Sequence, residues 1–150
     1  MNADKQLYLR KGTEEDLDLI YRWANDPVTR ANSFSTDPIP YQDHVNWFHR
    51  MLNNPDRILY IMMADTKPVG QIRLDMEGEE AEISYSIAPK ERGKGYGQKI
   101  IKLICEEVQK NMPEVLTLVA SVKEANLASQ KCFLSNGFEG NDTFFRWTNK

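Results

Sequence analysis

The sequence is poor in the residues on which several protein classes depend. Its 150 residues include two cysteines and two histidines. Cys105 and Cys132 fall in helical contexts, so a disulfide framework is not expected and the thiols should be buried. His44 and His49 lie five apart, which points them in different directions on a helix and gives no metal-ligand cluster; no metal is expected. No apolar run approaches the roughly 20 residues that span a bilayer. The opening Met1-Asn2-Ala3-Asp4-Lys5 has no apolar signal-peptide core, so a cytoplasmic protein without membrane contact is expected. An excess of positive charge is also missing. Nineteen Lys and Arg face 22 Asp and Glu, a formal net charge of -3, which argues against a broad nucleic-acid-binding surface.

What is present is enough for one cored domain over residues 1–150, with 41% hydrophobic residues and no linker, repeat or low-complexity tract. Residues 7–11 read as an opening strand. Thr13 then stands as an N-cap before acids and an apolar helical spacing at Leu17, Ile20 and Ala24. That helix should end at Asn25-Asp26-Pro27, followed by an irregular stretch over residues 28–40. Val45, Phe48 and Leu52 mark a second helix. The period then changes. Residues 58–64 form an apolar strand, residues 65–68 a turn and residues 69–74 its hairpin partner, with the next turn at Met76-Glu77-Gly78. Ala81, Ile83, Tyr85 and Ile87 alternate with Glu82, Ser84 and Ser86, giving a strand with one apolar and one polar face. A long helix to about residue 111 follows, then a buried strand over residues 115–122, a helix over residues 126–136 and terminal strands over residues 138–147.

Between the polar-faced strand and the long helix lies Arg92-Gly93-Lys94-Gly95-Tyr96-Gly97. Glycines at alternate positions admit positive φ and leave no Cβ to block a ligand. A helix N-terminus behind them offers unpaired amides and a favourable dipole for an anion. Alone, the hexamer fits a tight turn equally well. It is not the phosphate loop of nucleotide triphosphatases, because Gln98 follows Gly97 where Lys-Ser or Lys-Thr is needed. Nor is it placed as a dinucleotide fingerprint, which belongs in the first strand-helix unit.

This loop resembles the acetyl-CoA loop of the GCN5-related N-acetyltransferase superfamily. A second segment agrees in position: Asn126-Leu127-Ala128-Ser129 with Phe133 and Gly137-Phe138 is similar to that family's Asn-x-x-Ser segment. The resemblance implies a single-domain α/β (α+β) fold, a mixed sheet of about six or seven strands with about four helices. The strand ending at Ile87 should splay from the one that begins near Val115. It implies acetyl-CoA as cofactor, its pantetheine paired with backbone at Ser86, Ile87 and Ala88. The amides of Arg92, Gly93, Lys94, Gly95, Tyr96 and Gly97 would hold its pyrophosphate, with Asn126, Ser129 and Lys131 along the other side.

Amide formation needs a neutral amine, whereas an aliphatic ammonium has a pKa near that of Lys, about 10. Carboxylates on the polar-faced strand serve as bases in several members of the family, which marks Glu82, with Ser84, Ser86 or a water chain as substitutes. The amides of Ile87 and Ala88 are candidates for stabilising the oxyanion. Many relatives carry a tyrosine seven residues after the asparagine to protonate the leaving sulfur. Here that position is Phe133, which leaves Tyr85 or water, and a thiolate is a tolerable leaving group without help.

Acceptor contacts should come from the first 50 residues, where Trp23, Asn25, Phe34, His44 and Trp47 concentrate aromatic and polar groups. Trp-x-Asn-Asp-Pro, His-x-x-Trp-Phe and Gly-Gln-Ile-Arg-Leu-Asp resemble the amino-sugar acetyltransferases of pseudaminic acid synthesis, and less closely the ribosomal-protein alanine acetyltransferases. The first likeness implies the 4-amino group of a UDP-linked 4-amino-4,6-dideoxy sugar. Arg22, Arg30, Arg50 and Arg73 are then unranked partners for its pyrophosphate. A peptide or protein N-terminus as acceptor, and a non-catalytic acyl-CoA sensor, are the competing readings. A monomer or homodimer is expected.

Overall fold

The computed structural model describes residues 5–141 and 143–150. The first four residues, which the absence of a signal peptide concerned, lie outside that set. Strand β1 (Leu7–Lys11) leads into a 3-10 turn at Glu14–Asp16 and helix α1 (Leu17–Ala24). Thr13 caps this start reciprocally: its hydroxyl accepts from the Glu15 amide and its own amide donates to Asp16. Helices α2 (Pro27–Ala31) and α3 (Tyr41–Leu52) follow, then strands β2 (Arg57–Ala64), β3 (Lys67–Glu77) and β4 (Glu80–Ile87). A 3-10 turn at Pro89–Glu91 and the glycine loop lead to α4 (Tyr96–Asn111). The chain ends with β5 (Thr117–Ser121), α5 (Leu127–Ser135), β6 (Glu139–Gly140) and β7 (Phe144–Thr148).

Two differences from the expected elements have local causes. Residues 28–40 are not wholly irregular, because Asp26 accepts the amides of Val28 and Thr29 and Pro27 fills the first helical position, which together start α2. Strand β3 continues through Met76 and Glu77. The turn falls at Gly78 and Glu79, where Gly78 supplies φ +62.

The strands form one seven-stranded sheet in the order β1-β2-β3-β4-β5-β7-β6. The β4–β5 pair alone is parallel, and it covers only Glu80 to Glu82 against Thr117 to Val119. Beyond this the two strands diverge. Each face of the sheet carries a core. Ile72, Leu74, Ala81 and Ile83 pack against Ile100, Ile101, Ile104 and Val108 of α4 on one side, and Leu59, Ile61 and Met63 pack against Ile20, Trp23, Phe48 and Met51 of α1 and α3 on the other. The strand pleat thus turns the apolar side of β4 to α4 and its polar side, Glu82, Ser84 and Ser86, to α1 and α3.

Candidate active site

The divergence of β4 from β5 opens a slot in the sheet. The Ala88 amide donates to Val69 O at 2.9 Å. Alternation along an antiparallel pair therefore turns the backbone groups of Ser86 and Ser84 toward β3, as it does the Ala88 amide, and those of Tyr85 and Ile87 into the slot; the Ala88 carbonyl accepts from the Glu91 amide at 2.9 Å. This corrects the expected assignment: Ser86 and Ala88 offer no main-chain groups to a ligand there, and Ala88 N–H is already used. Tyr85 and Ile87 present an edge to which an extended ligand can add like a strand.

At the end of the slot sits the glycine loop. Gly93 and Gly95 have φ +79 and +81, with open space where a Cβ would stand. Gly95 is the N-cap of α4 and makes no side-chain cap bond, so the first amides of the helix are left to a ligand. Gly97 serves a different purpose: a Cβ there would lie 3.0 Å from Cys132 Sγ, so it sets the approach of α4 to α5. The loop's cations are less free than its sequence implied. Lys94 Nζ donates to Glu91 at 2.9 Å, and Arg92 donates to Asp26 at 2.6 Å and to Thr29 Oγ at 3.1 Å. Glu91 itself is buried between Lys94 and Lys67. The loop therefore offers an anion chiefly unpaired amides, while Lys94 and Arg92 are already paired.

Along the other wall Asn126 caps α5, its side chain accepting the Ser129 amide at 3.3 Å. The Ser129 hydroxyl pairs with the Tyr85 hydroxyl at 2.8 Å. Burial pushes the Tyr85 phenol well above its ordinary value, so it stays protonated. Tyr85 packs edge-on to Phe133 at 5.7 Å between centroids, and Phe133 is buried against Phe138 and Phe145. A hydroxyl therefore stands beside the position where Phe133 itself has none. Lys131 is exposed on α5 and does not line the cavity.

The slot is continuous with a cavity of about 630 Å³ between the polar face of β3 and β4 and helices α1 to α3. Trp23, Phe34, His44, Trp47, Arg73, Ser84, Tyr85 and Ser86 all reach it. Arg73 donates to Asp75 at 3.2 Å and more weakly to Ser84 at 3.5 Å; Arg57 takes the other oxygen of Asp75 at 2.7 Å. Both guanidinium groups lie over the Trp47 ring, at 5.1 and 5.7 Å from its centroid. Trp47 is thus already stacked. The free aromatic surface at the mouth is Phe34, which is 71% exposed.

Two expected site residues stand elsewhere. Asn25 does not line the cavity; its amide bonds both the N–H and the C=O of Ile39, tying α1 to the start of α3. Glu82 lies on the polar face of β4 but is exposed, opposite Asp75, and is not among the residues that line the cavity. Among the four arginines, Arg30 is committed to the carbonyls of Ala24, Ser35 and Asp37, and Arg22 does not reach the cavity. Arg50 lines it and has no side-chain partner among the described residues. Sequence reading missed Thr29, Ser33 and Gln71, which also line it. The Asp26-Pro27 pair is a helix-start signature and would have placed Thr29 by predicting α2, while Ser33 lies just past its end, its hydroxyl donating to Thr29 O. Gln71 faces Ser86 across the β3–β4 pair, visible only once the register is known.

An edge for an extended ligand, an amide-lined anion loop at a helix N-terminus and a polar-walled acceptor chamber opening on both define a CoA-dependent acyltransferase. Residues 6–139 match the acetyltransferase (GNAT) domain family. The chain belongs to that family; it is an N-acetyltransferase and its acetyl donor is acetyl-CoA. It is 28% identical over 132 residues to an uncharacterized N-acetyltransferase of Bacillus subtilis, YfmK, covering 87% of this chain and 83% of that one. Two solved structures share its fold. One is spermidine N-acetyltransferase of Vibrio cholerae with CoA and spermine, TM-score 0.85 at 18% identity over 96% of both chains. The other is aminoglycoside acetyltransferase AAC(6')-Ib with coenzyme A, TM-score 0.81 at 22% identity over 95% of both.

Proposed function

We propose that this chain acetylates the primary amine of a small anionic acceptor, specifically the 4-amino group of a UDP-linked 4-amino-4,6-dideoxy sugar. The observation that carries the reading is the charge of the acceptor chamber. Arg30, Arg50 and Arg73 line it against the single carboxylate of Asp43. Acceptors such as spermine or aminoglycosides, which the structurally similar enzymes bind, are polycations and would meet like charge here. A phosphate-bearing acceptor meets complementary charge, with Arg50 free to engage it. Phe34 offers a flat, solvent-facing ring to a nucleobase or sugar at the mouth, and 630 Å³ is within the range of small-molecule sites.

The residues fit the donor. Tyr85 and Ile87 give the edge, the amides from Gly93 to Gly97 the anion cradle, and Asn126 and Ser129 the far wall. When bound, acetyl-CoA supplies an electrophilic thioester carbonyl. The chain orients the amine toward it between the helices and the polar face of β4, where Trp23, Trp47 and Phe133 supply apolar wall. Tyr85, held by Ser129 and protonated, donates a hydrogen bond to the departing sulfur, a contact that Phe133 cannot make. The Ile87 amide, turned into the slot, takes the oxyanion role alone, since Ala88 N–H is bonded to Val69.

CoA release measured against UDP-4-amino sugars, N-terminal peptides of ribosomal proteins and polyamines, with a no-acceptor control, tests this. Acceptor-dependent release is expected with the nucleotide sugar. Release only with peptides or polyamines overturns the acceptor; none with any acceptor, despite CoA binding, favours a sensor.

A further inference from the structure

The proposed reaction needs a group that takes the amine's proton, and beside the exposed carboxylate of Asp43 the chamber contains a buried imidazole. His44 is 2% exposed on the inner face of α3, packed at tilted angles against Tyr21, Trp47 and Phe48 at 5.3, 5.8 and 5.6 Å between centroids. Its Nε2 lies 2.9 Å from Leu17 O of α1. A carbonyl oxygen only accepts, so Nε2 carries the hydrogen and Nδ1 of the neutral ring carries a lone pair. Nδ1 has no protein partner among the described residues, and no buried side-chain nitrogen or oxygen there is without one. Nδ1 is therefore among the atoms left open, and the open space His44 borders is the acceptor chamber.

We infer that His44 is the general base, its Nδ1 accepting the proton of the attacking amine. The inference rests on the amine-acetylation reading above. In the balanced step the amine nitrogen forms the new C–N bond and the thioester C–S bond breaks with its electron pair leaving on sulfur. The nitrogen's proton passes to His44 Nδ1, which returns it to solvent, and the thiolate, hydrogen-bonded by the Tyr85 hydroxyl, takes its proton from solvent. Leu17 O fixes the tautomer and the ring plane, the arrangement by which a catalytic imidazole is commonly oriented. The surroundings keep the ring neutral and available. Burial lowers its pKa, against the opposing pull of the Leu17 carbonyl and Asp18 of α1. On its own helix Asp43 and Arg50 border the same chamber, and from β3 so does Arg73. Glu82, by contrast, is exposed outside the chamber.

The test combines nitrogen-15 NMR of the His44 ring in the free protein with kinetics of His44→Gln and Glu82→Gln. A glutamine amide can still donate to Leu17 O, so His44→Gln preserves the link between α1 and α3 while removing the base. Expected are an Nε2–H ring with unprotonated Nδ1 at pH 7. His44→Gln should show wild-type CoA binding, kcat lowered about a hundred- to thousandfold and no acidic limb in its pH profile. Glu82→Gln should remain within about twofold of wild type. Should His44→Gln unfold, the ring tautomer and its titration in the wild-type protein still decide. An Nδ1–H or charged ring at pH 7, or full activity in His44→Gln, overturns the inference. A wild-type protein that acetylates no amine overturns the reading beneath it instead.

Discussion

The guanidinium of Arg92 donates to the carboxylate of Asp26 at 2.6 Å, joining the anion loop before α4 to the N-cap of α2. Desolvation works against the Asp26 charge, but Arg92 and the amides of Thr29 and Val28 hold its pKa below the usual carboxylate range. At the other end of α2, Lys123 Nζ reaches Ala31 O at 2.9 Å from the loop after β5. The short helix that walls the acceptor chamber is therefore pinned on both sides by segments that border the cofactor slot. Asp26→Ala should weaken α2 by about 1 kcal/mol, the usual size of a lost N-cap. Acceptor KM should rise about fivefold while CoA affinity by calorimetry stays within about twofold; an equal loss of both would place Asp26 in the cofactor site itself.

Gly95→Ala forces a Cβ residue to φ +81, which costs about 1–2 kcal/mol, although nothing stands in its way. If the loop's conformation holds the amides in place for the pyrophosphate, CoA affinity should drop about tenfold. Gly78→Ala provides the control, because φ +62 at the open β3–β4 turn imposes similar strain away from the slot. It should lower the melting temperature by a similar amount and leave CoA binding unchanged. Equal effects of the two on CoA binding would remove the loop from cofactor recognition.

The fold was legible in the sequence where local pattern and tertiary role coincide. The alternation of Ala81 to Ile87 with Glu82 to Ser86 named both faces of β4 correctly, and the slot between β4 and β5 was expected from the family resemblance carried by the glycine loop and the Asn126 segment. Three things were not legible. The direction of each backbone amide at Ser86, Ile87 and Ala88 follows from pairing with Val69, a contact nearly twenty residues away in sequence. Whether an arginine is free depends on its partners, and Arg30 is consumed by carbonyls that only the folded loop assembles. Likewise His44 reads on a helix as one aromatic among several, and only Leu17 O reveals which of its nitrogens carries the hydrogen.

Tyr85→Phe removes the hydroxyl beside Phe133 and leaves the ring in place. Ser129 loses its partner, for about 1 kcal/mol of stability. Turnover should fall about tenfold or more with little change in acceptor KM. Because burial keeps the Tyr85 hydroxyl protonated, the defect should be the same across the neutral pH range; a defect that shrinks as pH rises would make Tyr85 a proton donor instead of a hydrogen-bond donor.

Phe34 lies at the mouth of the chamber, largely exposed, with no structural work that its ring must do there. Phe34→Ala should therefore leave melting temperature and CoA binding unchanged and raise the KM for a nucleotide-sugar acceptor by about five- to tenfold, the loss of one stacking contact. An acceptor without an aromatic or sugar face should be indifferent to the change, which separates stacking from a general loosening of the mouth.

Glu91 ties the loop to the rest of the domain, and its protonation has a predictable window. Its carboxylate is buried between Lys94 and Lys67, whose hydrogen bonds lower its pKa from 4.5 to about 2. A carboxylate whose folded pKa is depressed binds fewer protons than its unfolded form, so stability rises with pH through that interval. The Glu91 contribution is complete above about pH 4.5 and is lost as pH falls toward 2. Glu91→Gln should flatten the acid limb of a stability curve between those values and cost about 1–2 kcal/mol at pH 7, where Lys67 and Lys94, both half exposed, recover part of their hydration. The freed lysines border the anion loop, so CoA affinity should not fall in proportion to stability. If binding and stability decline together, Glu91 holds the conformation of the glycine backbone as well as the two charges, and the amides from Gly93 to Gly97 depend on it for their alignment.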